Sequence, residues 1–154
     1  MQGEVTVHMD APVERVWDLV SDVTRIGEFS PETFDAEWIN GATGPAVGAR
    51  FRGHVKRNQK GPTYWTQCKV TASEPYRAFE FDVVMGKDRP VNTWGYRLQA
   101  SGTGTDVTEY FRLNDNIGTK IYWALLGRLR GRTNDRNMRA TLERMRAVVE
   151  RQAS

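Results

Sequence analysis

The stretch that most constrains this chain lies near its C-terminal end. Met138, Leu142, Met145 and Val149 recur at intervals of four, three and four, which draws one apolar stripe along a helix. Upstream, Ile121, Leu125 and Leu129 recur at intervals of four, also on one helical face, and no proline falls between Thr119 and Arg151. One helix over that range would be about 50 Å long. Gly127 and Gly131, each costing about 1 kcal/mol inside a helix, leave a bend or two shorter helices as the alternative. A helix with apolar ends and a thin, polar middle (Thr133, Asn134, Asp135) is suited to roof a cavity. An apolar stripe of this length must lie against a surface of comparable extent.

The rest of the chain supplies that surface. Residues 3–9 alternate Val5, Val7 and Met9 with polar neighbours, the pattern of a half-buried strand. Pro12 then suits the first turn of a helix and Glu14 its dipole, with Val13, Val16, Trp17 and Val20 at helical spacing. A second short helix is expected at about Val23–Phe29, ending before Ser30-Pro31. From residue 33 the period returns to two. Phe34, Ala36 and Trp38 form an edge-like strand, and Phe51, Gly53 and Val55 the next. Tyr64–Val70 reads as a strand whose facing the residues leave open. Phe79, Phe81, Val83 and Met85 share one face of the following strand, Trp94, Tyr96 and Leu98 one face of the next, and Val107, Glu109, Phe111 and Leu113 one face of the last. Glycine- and proline-bearing turns separate these runs, including Gly41–Gly48, Asn58–Pro62 and Gly86–Pro90. The expected class is α+β: a curved antiparallel sheet of about seven strands, two short helices after the first strand, and a long C-terminal helix on the buried face.

At 154 residues the expectation is one domain over 1–154. One cysteine, Cys68, excludes an internal disulfide and a multi-cysteine metal site. No apolar run follows the opening Met-Gln-Gly-Glu and none reaches the length of a membrane span, so a cytoplasmic protein is expected. From Thr119 to Arg151 nine Lys and Arg face three acids, a net of +6, whereas the remainder carries thirteen against sixteen, a net of −3. A basic helix face is either a solvated surface or a site of weak contact with an anionic membrane. No aromatic residue interleaves with the charges after Leu125, which argues against a nucleic-acid partner.

Several phrases, in order, resemble one superfamily. Ala11 to Asp22 (Ala-Pro-Val-Glu-Arg-Val-Trp-Asp-Leu-Val-Ser-Asp) is similar to the opening helix of the START/Bet v 1-like (SRPBCC) superfamily. Gly48-Ala-Arg-Phe, the strand from Tyr64, Ser73 to Phe81, Gly104 to Glu109 and Asn137 to Arg146 resemble its polyketide cyclase/dehydrase-type members. The resemblance implies a helix-grip fold with a deep, mostly apolar cavity between sheet and long helix. It implies binding of a fatty acid, lipid or polyketide there, or a cyclase or dehydratase working in the same cavity. An interaction module built on the basic helix is the third reading. Fold alone does not choose among them.

Within that frame Phe79, Phe81, Trp94, Tyr96 and Phe111 are the expected apolar lining from the sheet, with Met138 from the helix and Asn134 a turn earlier as a polar contact. Glu109, between Val107 and Phe111, would be a carboxyl group in the cavity, raised in pKa by desolvation and able to act as general acid or anchor. Aromatase/cyclase relatives use a cavity arginine and tyrosine; the nearest basic residue here is Lys69, with Tyr64, Tyr96 and Tyr110 as phenols. The catalytic candidates are therefore Glu109, Tyr96 and Lys69. His8 and His54 stand alone in strands, no metal-ligand motif occurs, and no cofactor is expected. A monomer or homodimer is consistent with all three readings.

Overall fold

The computed structural model describes residues 2–56, 62–113 and 135–151. The first half of the expected C-terminal helix, with Ile121, Leu125, Leu129 and Asn134, lies outside the described residues, as does most of the Asn58–Pro62 loop.

β1 (Gln2–Met9) buries Val5, Val7 and Met9 and exposes Glu4, Thr6 and His8. Pro12, with extended backbone, starts α1 (Val13–Ser21), which buries Val16, Trp17, Leu19 and Val20. Asp22 leaves the helical region and its side chain accepts from the Thr24 N–H, which caps a short 3-10 helix (Val23–Glu28). Six strands follow: β2 (Thr33–Ile39), β3 (Arg50–Val55), β4 (Tyr64–Glu74), β5 (Ala78–Met85), β6 (Arg89–Ser101) and β7 (Gly104–Leu113). A helix spanning 135–151, α2, ends the described chain.

The seven strands form one antiparallel sheet in the order β1-β7-β6-β5-β4-β3-β2. β2 to β7 are a run of hairpins, and β1 returns to the far edge to pair with β7. α1, the 3-10 helix and α2 share one hydrophobic cluster with the inward side chains of the sheet. Met138, Leu142, Met145 and Val149 are each 1% exposed or less, so the stripe read from the sequence is the packed face of α2. At roughly 1.5–3 kcal/mol for each fully buried side chain, these four contribute about 6–12 kcal/mol gross. Polar bonds fix the helix at both ends. Asn137 Nδ2 donates to Glu32 Oε1 at 3.0 Å, and the Asp10 N–H donates to Glu150 Oε1 at 3.1 Å. Arg136, Arg139 and Arg144 are exposed, and Arg146 pairs with Glu143 at 2.5 Å.

On the outer face of the sheet, polar side chains of neighbouring strands pair with one another. Glu80 accepts from Tyr110 Oη (2.5 Å), Thr71 Oγ1 (2.8 Å) and Arg112 (3.1 Å). The Tyr110 ring lies across Gly95, where a Cβ would collide with it, so only glycine fits beneath that ring. Arg97 stacks on the same ring and pairs with Glu4.

Two expected facings are corrected here. A register shift between Thr33 and Asp35 turns Phe34 out of the sheet's inner row; it is 48% exposed and packs on His54. A second shift at Val83/Val84 buries Val84 and leaves Met85 exposed instead of continuing the Phe79–Phe81–Val83 face.

Candidate functional site

Between the concave face and α2 the fold leaves a cavity of about 1150 Å³. Its floor follows from the register. Phe81, Trp94 and Phe111 lie opposite one another across β5, β6 and β7, and Tyr96 lies opposite Glu109. Period-two alternation then puts all five side chains on one face, the one α2 covers. The rings pack against each other, with centroids 5.4 Å apart for Trp94–Phe111 and 5.0 Å for Phe51–Phe81. Met138 and Thr141 approach from α2, and Phe51 and Cys68 from β3 and β4. The wall formed by the described residues is mostly apolar, with a few polar groups facing in, the usual make-up of a small-molecule site.

The most unusual group on that wall is Glu109. It is 5% exposed, and its Oε2 has no hydrogen-bond partner. Burial pushes its pKa well above the ordinary carboxylate range. Opposite it, the Tyr96 phenol is pushed up first by burial and then by the Glu109 charge. The Tyr96 ring is held edge-on by Phe29 at 6.4 Å. Two oxygen acids that favour their neutral forms therefore sit side by side, each able to donate an O–H into the cavity. At its other end the Asn92 side-chain oxygen is buried and also without a partner. Cys68 is a buried thiol whose pKa burial raises to about 12, so it is neither a nucleophile nor a charge here.

Phe81, Trp94, Tyr96, Glu109, Phe111 and Met138 are all on the cavity wall. Phe79 is not: it is 1% exposed, edge-on to Trp17 of α1 at 6.4 Å, and belongs to the core. Lys69 is placed on the outer face. β4 turns Cys68 and Val70 inward, so Lys69 projects the other way, near Asp88 and Arg50. It is thereby removed as a catalytic candidate, and Tyr110, lying over Gly95 on the outer face, is removed as a cavity phenol. Asn134 lies outside the described residues. Sequence reasoning missed Asn92, although it shares parity with Trp94 and Tyr96 on β6. It also missed Asn137 and Thr141, which flank the α2 stripe one turn apart. Among the described residues no group of three or more His, Cys, Asp or Glu is placed to hold a metal ion, and no helix is long and apolar enough to cross a membrane.

A curved antiparallel sheet closed by a C-terminal helix over an apolar cavity defines the helix-grip class of domain. Within that class the chain belongs to the family described as polyketide cyclase/dehydrase and lipid transport, which it matches over residues 2–150. Among curated proteins none matches it. Among solved structures it is similar to TTHA0849 from Thermus thermophilus, at 18% identity and a TM-score of 0.74 over 100% of each chain. It is similar to the Polyketide_cyc-like protein Cgl2372 from Corynebacterium glutamicum, at 27% identity and a TM-score of 0.60 over 99% of this chain and 93% of that one. It also resembles the di-domain ARO/CYC StfQ of the steffimycin biosynthetic pathway, at 13% identity and a TM-score of 0.70 over 98% of this chain and 45% of that one.

Proposed function

We propose that this protein binds, and in so doing sequesters or carries, an apolar or amphipathic small molecule in the cavity between the sheet and α2. The observation that carries the reading is the cavity of about 1150 Å³ walled by Phe51, Phe81, Trp94, Phe111 and Met138. Leaving so much aromatic surface unpacked costs stability in an empty protein, and a ligand that fills the space recovers it. Membership of a family described by lipid transport as well as cyclisation supports the same reading. Native mass spectrometry of the purified protein is expected to show a co-purified small molecule, and Nile red is expected to bind the emptied protein with enhanced fluorescence. A protein that carries nothing and leaves the dye dark would overturn it.

A second reading is favoured by one further observation, the pairing of Glu109 with Tyr96 across neighbouring strands inside the cavity. In a dehydratase-type reaction a neutral Glu109 would give its proton to the leaving hydroxyl, which departs as water as the C–O bond breaks; the Glu109 carboxylate so formed would take the proton from the neighbouring carbon, and the Tyr96 phenol would hydrogen-bond the substrate carbonyl beside it. The expected result is that Glu109→Gln and Tyr96→Phe each abolish turnover of a β-hydroxycarbonyl substrate while the folded variants still take up Nile red. Equal turnover by wild type and both variants would exclude it.

A further inference from the structure

We infer, resting on the binding role proposed above, that the cavity selects an uncharged ligand presenting a hydrogen-bond acceptor to Glu109 and Tyr96, and rejects carboxylate amphiphiles of the same length. The Oε2 of Glu109 is buried on the cavity wall with no hydrogen-bond partner. A buried acid without a partner is a costly group, and the ligand is what can satisfy it. Which ligand does so depends on the charges facing the site. From β6 the facing titratable group is Tyr96; from β1 the residue opposite Glu109 is Val5; from α2 the cavity residues are Asn137, Met138 and Thr141. Farther round the wall stand the Cys68 thiol, the Tyr64 phenol and, at the α2 edge, Glu32, which accepts from Asn137. Among the described residues that line the cavity there is no Lys, Arg or His.

An acyl chain ending in a carboxylate would therefore bring an anion to a buried acid with no described cation to compensate it. Two carboxyl groups in one apolar site cannot both ionise, so such a ligand enters only with its proton. A ketone, ester or ether oxygen carries no charge to desolvate. It has two lone pairs, which match the two O–H donors that Glu109 and Tyr96 hold on adjacent strands. Residues directly opposite in an antiparallel pair have Cβ atoms about 4.5–5.5 Å apart, and the Glu109 charge acts on the Tyr96 phenol, so the two donors serve the same region of the cavity. The hydrocarbon on either side of that oxygen would run along Trp94 and Phe111 toward Asn92, four residues along β6, or about 13 Å.

The test is displacement of Nile red from the emptied protein by methyl undecyl ketone, dodecanoate and dodecylamine. At about pH 7 the ketone is expected to bind roughly 100-fold tighter than dodecanoate, and the gap is expected to close toward about pH 5, where the fatty acid regains its proton. Glu109→Leu is expected to weaken the ketone about tenfold, and Glu109→Gln, whose amide donates, to recover most of that loss. If Glu109→Leu does not fold, the ranking of the three head groups on the wild-type protein still decides. Dodecanoate binding at about pH 7 as tightly as the ketone would overturn the inference and leave the binding role standing. Tightest binding of dodecylamine would mean an ionised Glu109 and would overturn it too. Displacement by none of the three, with no adduct in native mass spectrometry, overturns both.

Discussion

Replacing Glu109 by Gln isolates the cost of keeping an acid in an apolar wall. In the unfolded chain a glutamate titrates near pH 4.3, to about a unit. In the fold, burial raises it well above that value. Between the two pKa values the folded state keeps a proton that the unfolded chain has released, so stability falls as pH rises, by about 1.4 kcal/mol per pH unit. Below the unfolded pKa both states are protonated and the penalty vanishes; above the folded pKa both are ionised and it stays constant. Glutamine has the shape of the protonated acid and does not titrate. The variant should thus match wild type, apart from a fixed offset, near pH 4, and gain on it at about 1.4 kcal/mol per unit above that. The gain should level off at the pH where Glu109 ionises in the fold. Urea denaturation of both proteins from about pH 4 to pH 9, with m-values compared to verify two-state unfolding, measures the difference directly. Other carboxylates titrate alike in both proteins and cancel. A pH-independent difference would refute the reasoning. A wild type that gains on the variant with rising pH would show that Glu109 is a stabilised anion.

Gly95→Ala should destabilise the protein by about 1–3 kcal/mol in the same assay, because its methyl group meets the Tyr110 ring, and adding Tyr110→Ala should recover part of the loss. Leu142→Ala, at a fully buried position on α2, should cost about 2–5 kcal/mol and lower the melting temperature accordingly. Cys68 should resist iodoacetamide in the native protein at about pH 8, where its thiol stays protonated, and react fully in urea; rapid native alkylation would contradict the burial assigned to it. Met138→Trp should fill the cavity beside Trp94 and Phe111 and abolish Nile red uptake by a protein that still melts cooperatively.

The sheet and the packed face of α2 were legible because apolar and polar residues contrast sharply there. In β6, Trp94, Tyr96 and Leu98 stand against Arg97 and Gln99, and a one-residue error would have exposed every large side chain. β4 offers no such contrast. Tyr64 and Trp65 are adjacent aromatics and Cys68 and Lys69 both carry hydrocarbon, so the facing of Lys69 had to come from pairing with β3 and β5. The irregularities at Thr33–Asp35 and Val83–Val84 were illegible for a different reason: a bulge is set by what the partner strand imposes, and no glycine marks either one. Phe79 shows the limit of parity itself. It shares a face with Phe81, but α1 lies over one end of that face and the cavity under the other, a division that tertiary packing makes and alternation does not record. For Glu109 parity gave the direction of the side chain; that it meets Tyr96 follows only from the register of β6 with β7.

The return of β1 to the edge beside β7 also sets an order of events during synthesis. Every hairpin from β2 to β7 pairs with a strand made just before it, so that part of the sheet can assemble as the chain emerges. β1 cannot, because Thr6 and the Thr108 it bonds are 102 positions apart. At about 5–20 residues per second, Val5, Val7 and Met9 spend roughly 5–20 s outside the ribosome before their partner strand exists. The last registration to form joins the oldest segment to the newest strand, and it is the one that places Val5 behind Glu109. Within the sheet, the part of the cavity wall that carries the acid is therefore expected to be completed last, before α2 closes over it, and a chain stalled before β7 would present β1 as an unpaired apolar strand beside the hairpins already assembled.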